Sequence, residues 1–325
     1  MARKVRVATV ALLHRGGPTI EDNRELVRGL IEQAASERPD IICLPETFTM
    51  QGVEYENLDE IAETVPGPTT DMVAAYARKH GCYIICPLIG LHGDKFTNDA
   101  VLLDRRGEIL GSYSKIHPVV EGAAFTSLER GVTPGGDVEV FDTDFGRIGM
   151  QICFDALYED GWAELKRKGA EIVFWCSAYD AGKHIGIHAF NHHYYVVSAV
   201  KSRYSRIVDI MGEELAITGQ RDPVIACTID LDVALFHTDF NNVQIARIRD
   251  KYGPDVTIRM WHEEGMFTIE TNRDDLAVAD IVSEFELDPL DDYLARCARL
   301  QDAWRSGESV PSLKPPYGPD RIQWM

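Results

Sequence analysis

The sequence lacks an apolar segment long enough to span a membrane, although its 325 residues are 45% hydrophobic. A membrane helix needs roughly 20 consecutive apolar residues. The apolar stretch nearest the amino terminus, VRVATVALL, is short, rich in β-branched residues and interrupted by Arg6. These features predict a first β-strand rather than a signal peptide, so we expect no membrane partner.

Long runs of basic residues are also missing. The chain carries 33 lysines and arginines against 52 acidic residues, which gives a formal net charge of −19. Proteins bind nucleic acids and anionic membranes through clustered cations that replace counterions. The charge balance therefore argues against a nucleic-acid partner, and a small-molecule substrate is the expected ligand.

The cysteines do not form the even set that a disulfide framework requires. Most of the seven lie inside apolar runs: Cys43, Cys82, Cys86, Cys153, Cys176, Cys227 and Cys297. Such a pattern indicates reduced thiols and a cytoplasmic protein.

What the sequence does contain is an alternation of strands and helices. Short apolar runs such as VRVATVALL and DIICLPE alternate with segments of helical periodicity at about 19–38, 69–80 and 157–168. Turn signals such as HGD and RRG separate other runs into hairpins. Two α-β halves of this kind predict an α/β fold with two sheets packed face to face and helices outside.

The pattern weakens after about Leu235. We predict a main domain over residues 1–286, with its core at about 4–235 and an ordered extension after it. Residues 287–325 then form a helix at about 289–305 and an arm, SGESVPSLKPPYGPDRIQWM, whose prolines exclude regular structure.

Three predicted strands end in residues that can carry chemistry. Glu46 closes DIICLPE, Lys115 closes EILGSYSK, and Cys153 closes RIGMQIC. Each residue by itself has an ordinary interpretation: a buried structural thiol for Cys153, and solvated turn residues for the other two. Functional side chains gather at the carboxyl ends of strands in α/β sheets, so their joint occurrence predicts one shared site.

The segments LPE, SKIH and GRIGMQICFD resemble, in this order, the signature segments of the nitrilase superfamily of carbon-nitrogen hydrolases. The resemblance covers roughly residues 4–235 and implies a four-layer α-β-β-α sandwich with a Glu-Lys-Cys triad. Cys153 would be the nucleophile and Glu46 the general base, with burial holding its pKa closer to neutral. Lys115 and the backbone N–H of Phe154 would stabilise the oxyanion.

Many members of this family use a second glutamate near the lysine. SLERGVTPGGD resembles the family segment that contains it, so we expect Glu129 to take this position, with Glu121 as the alternative.

The arrangement CFD, with Asp155 two residues after the cysteine, resembles amidases and N-carbamoyl hydrolases more than nitrilases. We therefore expect hydrolysis of a linear amide or an N-carbamoyl compound with release of ammonia, and a nitrile is the alternative substrate. The residues expected to contact substrate are Phe154, Asp155, Tyr179, His117 and Tyr55.

A histidine-rich segment suggests a different class of function. GKHIGIHAFNHHYY places His184, His188 and His192 on one face of a possible helix, where two could bind zinc with a third ligand. The motif HEXXH is absent, and Gly182 and Gly186 weaken the helix. We therefore expect no metal or cofactor in catalysis; the alternatives for these histidines are contact with the substrate, or packing and solvent exposure.

A third interpretation is a noncatalytic binding or filament protein of the same fold. It predicts the loss of a triad residue, and none is lost. The family resemblance also implies a homo-oligomer, formed through the outer helices and the carboxy-terminal arms.

Overall fold

The computed structural model describes residues 3–122, 124–309 and 315–316. The described chain packs into two compact units, of which Val5–Ile229 is the larger. The smaller unit comprises the described residues up to Lys4 and those from Asp230 onward, so the segment after about 235, which we expect to be an ordered extension, groups with the carboxy-terminal helix. This segment forms a separate hydrophobic core, which is described below. Strands and helices are numbered in chain order.

One six-stranded sheet of the larger unit is parallel at one side and antiparallel at the other. In spatial order its strands are β14 (Val224–Asp230), β1 (Lys4–Val10), β2 (Ile41–Cys43), β3 (Tyr83–His92), β4 (Lys95–Leu103) and β5 (Ile109–Ser114). Thr9 pairs with Cys43 and Cys43 with Ile85, so β1 and β2 end at nearly the same level of the sheet, whereas β3 continues to His92.

A second six-stranded sheet has a parallel centre. Its strands, in spatial order, are β13 (Glu214–Ile217), β12 (Arg206–Val208), β11 (Tyr195–Val200), β10 (Ile172–Ser177), β9 (Arg147–Ile152) and β8 (Val140–Asp142). Ile152 pairs with Cys176 and Ser177 with Val200, which aligns the carboxyl ends of β9, β10 and β11. A short ladder joins β6 (Val120–Glu121) to β7 (Ser127–Leu128).

The two sheets touch face to face. The Thr9 hydroxyl donates to the Ser198 carbonyl across 2.7 Å, and the Cys43 and Cys176 sulfurs lie 3.6 Å apart. Helices α1 (Ile20–Ser36) and α2 (Pro68–His80) pack on the first sheet, and α3 (Asp160–Arg167) and α4 (Lys183–His192) pack on the second. The predicted four-layer α-β-β-α sandwich is confirmed.

Helix α1 shows how the sequence specifies these outer layers. Thr19 caps it by accepting from the Asp22 N–H at 3.1 Å, which satisfies one of the free donors of the first turn. Its apolar face, including Val27 and Ile31, is buried in the core cluster of the first sheet.

The smaller unit has its own three-stranded antiparallel sheet, in the order β15 (Ala234–His237), β17 (Met266–Thr271) and β16 (Val256–Trp261). Helices α5 (Asn242–Tyr252) and α6 (Val278–Glu284) contribute to its core, in which Phe236, Ile248, Phe267 and Ile281 are fully buried. The alternating segment MFTIET forms β17, the central strand.

The predicted carboxy-terminal helix is α7 (Leu290–Ser306), which packs on β15. Most of the predicted proline-rich arm lies outside the described residues. Among the residues that are described, no helix has the length and apolar character needed to cross a bilayer.

Candidate active site

The carboxyl ends of three strands meet at one pocket of about 330 Å³. Glu46 follows β2, Lys115 directly follows β5, and Cys153 directly follows β9. All three line the pocket, together with Glu129. Glu46 and Lys115 come from the first sheet and Cys153 from the second, so the site depends on the packing of the two sheets against each other.

Glu46 is buried among hydrogen-bond donors. Its Oε1 accepts from Asn98 Nδ2 at 2.8 Å and from Lys115 Nζ at 3.1 Å. Burial acts to raise the pKa of Glu46, but the charges of Lys115 and Lys201 and the Asn98 hydrogen bond outweigh it, so the pKa lies below its ordinary value. The expectation of a pKa closer to neutral is wrong, because it considered burial without these cations.

Lys115 is held between two carboxylates. Its ammonium group donates to Glu46 and also to Glu129 Oε1, and its side chain is only 1% exposed. Burial disfavours the charged form, but the negative charge of Glu46, together with that of Glu129, raises the pKa of Lys115 well above its ordinary value. Lys115 is therefore a buried permanent cation.

Glu129 completes this network on the pocket wall. Its Oε1 also accepts from the Val119 N–H at 2.9 Å, and its Oε2 lies 3.2 Å from the donating Asn98 Nδ2. Its backbone is left-handed, with φ of 39°, a conformation that costs a non-glycine residue roughly 1–2 kcal/mol. Glu121, the alternative from the sequence, is exposed and accepts from the Arg130 N–H at 3.0 Å. Glu129 is thus the one of the two that is hydrogen-bonded to the lysine.

Cys153 begins a tight 3₁₀ turn, Cys153–Leu157, called the cysteine turn below. Buried ring N–H groups satisfy three of its carbonyls: Trp175 Nε1 donates to Cys153 at 3.0 Å, Trp162 Nε1 to Asp155 at 3.0 Å, and His188 Nε2 lies 2.9 Å from the carbonyl oxygen of Ala156. Cys153 itself is left-handed, with φ of 47°. The surrounding donors hold the backbone of Cys153 in this strained conformation.

The Cys153 thiol is protonated at neutral pH. Burial raises the pKa of Cys153 to about 12, and the charge of Glu46 adds to this effect, whereas Lys115, Ser177 and the Ala178 backbone oppose it. A thiol of this kind needs a base within reach when it attacks a carbon atom.

Asp155 does not bind substrate as we had expected. It is fully buried, and its carboxylate accepts from the Tyr113 hydroxyl at 2.8 Å, the Ile152 N–H at 2.9 Å and the His117 N–H at 3.0 Å. Both carboxylate oxygens of Asp155 accept hydrogen bonds from protein groups. Asp155 therefore fixes the base of the cysteine turn to the end of β5.

His117 and Phe154 also lie outside the pocket lining. The His117 Nδ1 is 3.0 Å from Asp155, which raises the pKa of His117, and its ring stacks on Tyr158 with centroids 3.7 Å apart. Phe154 is half-buried and packs edge-on against the same Tyr158. Their side chains support the cysteine turn from outside, contrary to the predicted contact with substrate.

The two predicted tyrosines have different positions. Tyr55 lines the pocket under the Arg130 guanidinium, which lies 4.5 Å from its ring centroid. Tyr179, which we expected to contact substrate, is not among the residues that line the pocket; it is partly exposed and packs edge-on against Trp175. Burial and then the nearby Cys153 raise the pKa of Tyr179 to about 12, so its hydroxyl remains a hydrogen-bond donor.

Among the pocket residues that sequence reasoning missed are Lys201 and Asn98, which both act on Glu46. Lys201 Nζ donates to the Thr47 hydroxyl at 2.8 Å, and burial lowers its pKa although the charge of Glu46 opposes this. Because Lys201 directly follows β11, the strand-end argument that found Cys153 could also have found it. Asn98 lies within β4, where only the strand register shows which way a polar residue faces.

One group of three residues in the described part of the chain could hold a metal ion: Glu159, His188 and His192, whose candidate ligand atoms all lie within 4.8 Å of one another. None of them lines the pocket. His184, which the sequence grouped with the other histidines, is exposed and outside this group.

Comparison with known proteins agrees with this architecture. Residues 6–234 match the family model of carbon-nitrogen hydrolases. The chain is 26% identical to omega-amidase NIT2-B of Xenopus laevis over 83% of this chain and 99% of that protein. It is 28% identical to a nitrilase of Pyrococcus abyssi over 71% of this chain and 88% of that one.

A solved structure shows the same fold. The carbon-nitrogen hydrolase from Helicobacter pylori G27 superposes with a TM-score of 0.60 at 19% identity, covering 77% of this chain and 93% of that one. The family match spans the larger unit almost completely and confirms the predicted resemblance. The chain is a member of the carbon-nitrogen hydrolase family, within the nitrilase superfamily.

Proposed function

We propose that this protein hydrolyses a linear amide or an N-carbamoyl compound through a thioester on Cys153. The observation that carries the proposal is the convergence of Cys153, Glu46 and Lys115 on one pocket, with Glu129 bonded to the lysine. The similarity to an omega-amidase supports an amide as the substrate class.

The charges that Glu46, Lys115 and Cys153 carry before the reaction indicate their roles. Glu46 is ionised because its pKa is lowered, and Lys115 is cationic because its pKa is raised. Cys153, with a pKa of about 12, is a neutral thiol. Glu46 is then the base available to the thiol, and Lys115 is the cation available to an oxyanion.

In the first half-reaction the Cys153 sulfur attacks the carbonyl carbon while its proton passes to Glu46. Negative charge develops on the carbonyl oxygen, where Lys115 and the backbone N–H of Phe154 stabilise it. The carbon–nitrogen bond then breaks, and Glu46 returns the proton to the leaving nitrogen. A primary amide releases ammonia and leaves a thioester.

In the second half-reaction water gives a proton to Glu46 and attacks the thioester carbon. The carbon–sulfur bond breaks, the sulfur regains the proton, and the acid leaves. With an N-carbamoyl substrate the product is a carbamic acid, which decomposes to carbon dioxide and an amine.

Glu129 and Lys201 act through Lys115 and Glu46 rather than on the substrate. Glu129 positions the Lys115 ammonium, and Lys201 contributes positive charge that keeps Glu46 ionised. Tyr55 forms part of the wall that receives the substrate chain.

A panel of primary amides, N-carbamoyl compounds and nitriles with matched side chains tests this function. Ammonia and carbon dioxide are measured together, and Cys153→Ala is the control protein. Ammonia alone from amides, or ammonia with carbon dioxide from N-carbamoyl compounds, is the expected result. A strong preference for nitriles over their matched amides would contradict the proposed substrate class.

A further inference from the structure

A second polar cluster lies behind the cysteine turn, outside the pocket. Glu159 stands just before α3, and His188 and His192 lie one turn apart on α4, so their side chains share a helix face. Both histidines are buried, with 5% and 8% exposure, whereas the Glu159 side chain is 59% exposed.

The hydrogen bonding of His188 determines which of its nitrogens is free. Nε2 lies 2.9 Å from the Ala156 carbonyl oxygen, which can only accept, so Nε2 carries the proton. In the neutral ring Nδ1 then has an unshared electron pair. This buried Nδ1 has no hydrogen-bond partner and lies 3.5 Å from a carboxylate oxygen of Glu159. Two acceptors thus face each other.

His192 faces the other carboxylate oxygen of Glu159 in a similar way. Its Nε2 is 3.0 Å from Glu159 Oε1 but does not form a hydrogen bond of acceptable geometry. The rings cannot easily turn away, because His188 stacks on Trp162 with centroids 4.1 Å apart and His192 packs against Tyr194. One carboxylate therefore faces two fixed imidazole nitrogens.

We propose that Glu159, His188 and His192 bind a divalent transition-metal ion, with Zn²⁺ the best match. Two imidazoles and one carboxylate are a common zinc ligand set, and water can supply a fourth ligand on the exposed side of Glu159. A metal-bound histidine usually donates its other N–H to a carbonyl, as His188 does to Ala156.

The proposed ion has a structural consequence for the site. Ala156 belongs to the cysteine turn, so a metal bound at Nδ1 keeps the proton on Nε2 and preserves the hydrogen bond to that turn. The ion also ties α4 to the segment between the turn and α3. It takes no part in the proposed hydrolysis, and its existence does not depend on the proposed function.

Metal-free full-length protein titrated with Co²⁺ tests the site, with visible absorbance reporting the ligands and Zn²⁺ added as competitor. We expect one Co²⁺ per chain, without a thiolate charge-transfer band, displaced by Zn²⁺. The same stoichiometry is expected in Cys153→Ala, which removes the pocket thiol as a ligand. No binding, or binding that disappears in Cys153→Ala, would overturn the proposal.

Three variants locate the ion. Glu159→Gln and His192→Ala should weaken Co²⁺ binding at least tenfold, whereas His184→Ala, an exposed histidine on the same helix, should bind as the parent does. Circular dichroism checks folding. If His192→Ala does not fold, Glu159→Gln decides, because its side chain is at the surface. Unchanged affinity in Glu159→Gln would overturn the assignment.

Discussion

The two sheets contribute different things to the pocket. The strand ends of the first sheet supply charge: Glu46 and Lys115, joined by Glu129 from the segment after β7, form an ionic network that Asn98 bridges. The second sheet, with the helices that pack on it, supplies mainly geometry: ring N–H donors and the buried Asp155 hold the cysteine turn, and Lys201 at the end of β11 adds one positive charge. Substitutions in the ionic network should therefore mainly lower the rate of hydrolysis, whereas substitutions around the cysteine turn should lower both stability and rate. Variants of each kind can distinguish the two contributions.

The largest expected effect is on the nucleophile. Cys153→Ala should lose turnover by a factor on the order of 10⁴ or more while remaining folded, because it removes the attacking atom but little volume. The matched control is Cys82→Ala, a buried thiol in the core cluster of the first sheet, which should retain turnover and lose about 1 kcal/mol of stability. Ammonia release and thermal unfolding measure the two quantities. Undiminished turnover by Cys153→Ala would remove the nucleophile from the mechanism.

The next largest effect tests the ionic network around Lys115. Glu46→Gln should lower kcat by roughly 10²–10⁴-fold, because the amide keeps the shape but cannot accept the thiol proton. Glu129→Gln should lower kcat less, and Glu121→Gln least, since Glu129 is bonded to Lys115 and Glu121 is not. Steady-state kinetics of the three variants gives the ranking. A larger loss in Glu121→Gln than in Glu129→Gln would reverse the assignment of the second glutamate.

A smaller effect tests the hydrogen bonds that hold the cysteine turn. Trp175→Phe removes the donor to the Cys153 carbonyl and leaves a buried acceptor unsatisfied, which costs about 1–3 kcal/mol. We expect lower unfolding stability together with a kcat reduction of roughly tenfold, smaller than that of Glu46→Gln. Chemical denaturation and kinetics should be measured on the same preparation. Unchanged stability would show that the indole N–H does not hold the turn.

The smallest effect is a shift in pH dependence. Activity needs ionised Glu46, whose pKa is lowered, so the rate should fall only as the pH drops through that low value. Lys201→Met removes a positive charge that lowers this pKa, so the acid limb of kcat/KM should move to higher pH. An acid limb at the same pH in both proteins would exclude Lys201 as an influence on Glu46.

Sequence reasoning located the strand ends because apolar runs mark buried strands and the following residue falls at the sheet edge. This argument predicts the positions of Glu46, Lys115 and Cys153, and it applies equally to Lys201, which directly follows the apolar run YYVVSAV. Asn98 could not be found, since its direction depends on the register between β4 and its neighbours.

Other errors came from tertiary structure that local patterns do not encode. Asp155 was assigned to substrate, but the left-handed start of the cysteine turn directs it toward Tyr113 and His117. Helical periodicity grouped His184 with His188 and His192, whereas the third member of that group is Glu159, from before the preceding helix. The homo-oligomer and the cytoplasmic location remain predictions.

The central claim is that hydrolysis passes through a thioester on Cys153. Rapid acid quenching of the enzyme during turnover, followed by intact-mass spectrometry and peptide mapping, tests it most directly. The account predicts an added acyl mass on the peptide that contains Cys153, absent from Cys153→Ala. Steady turnover with no covalent adduct, or with the adduct on another residue, would contradict it.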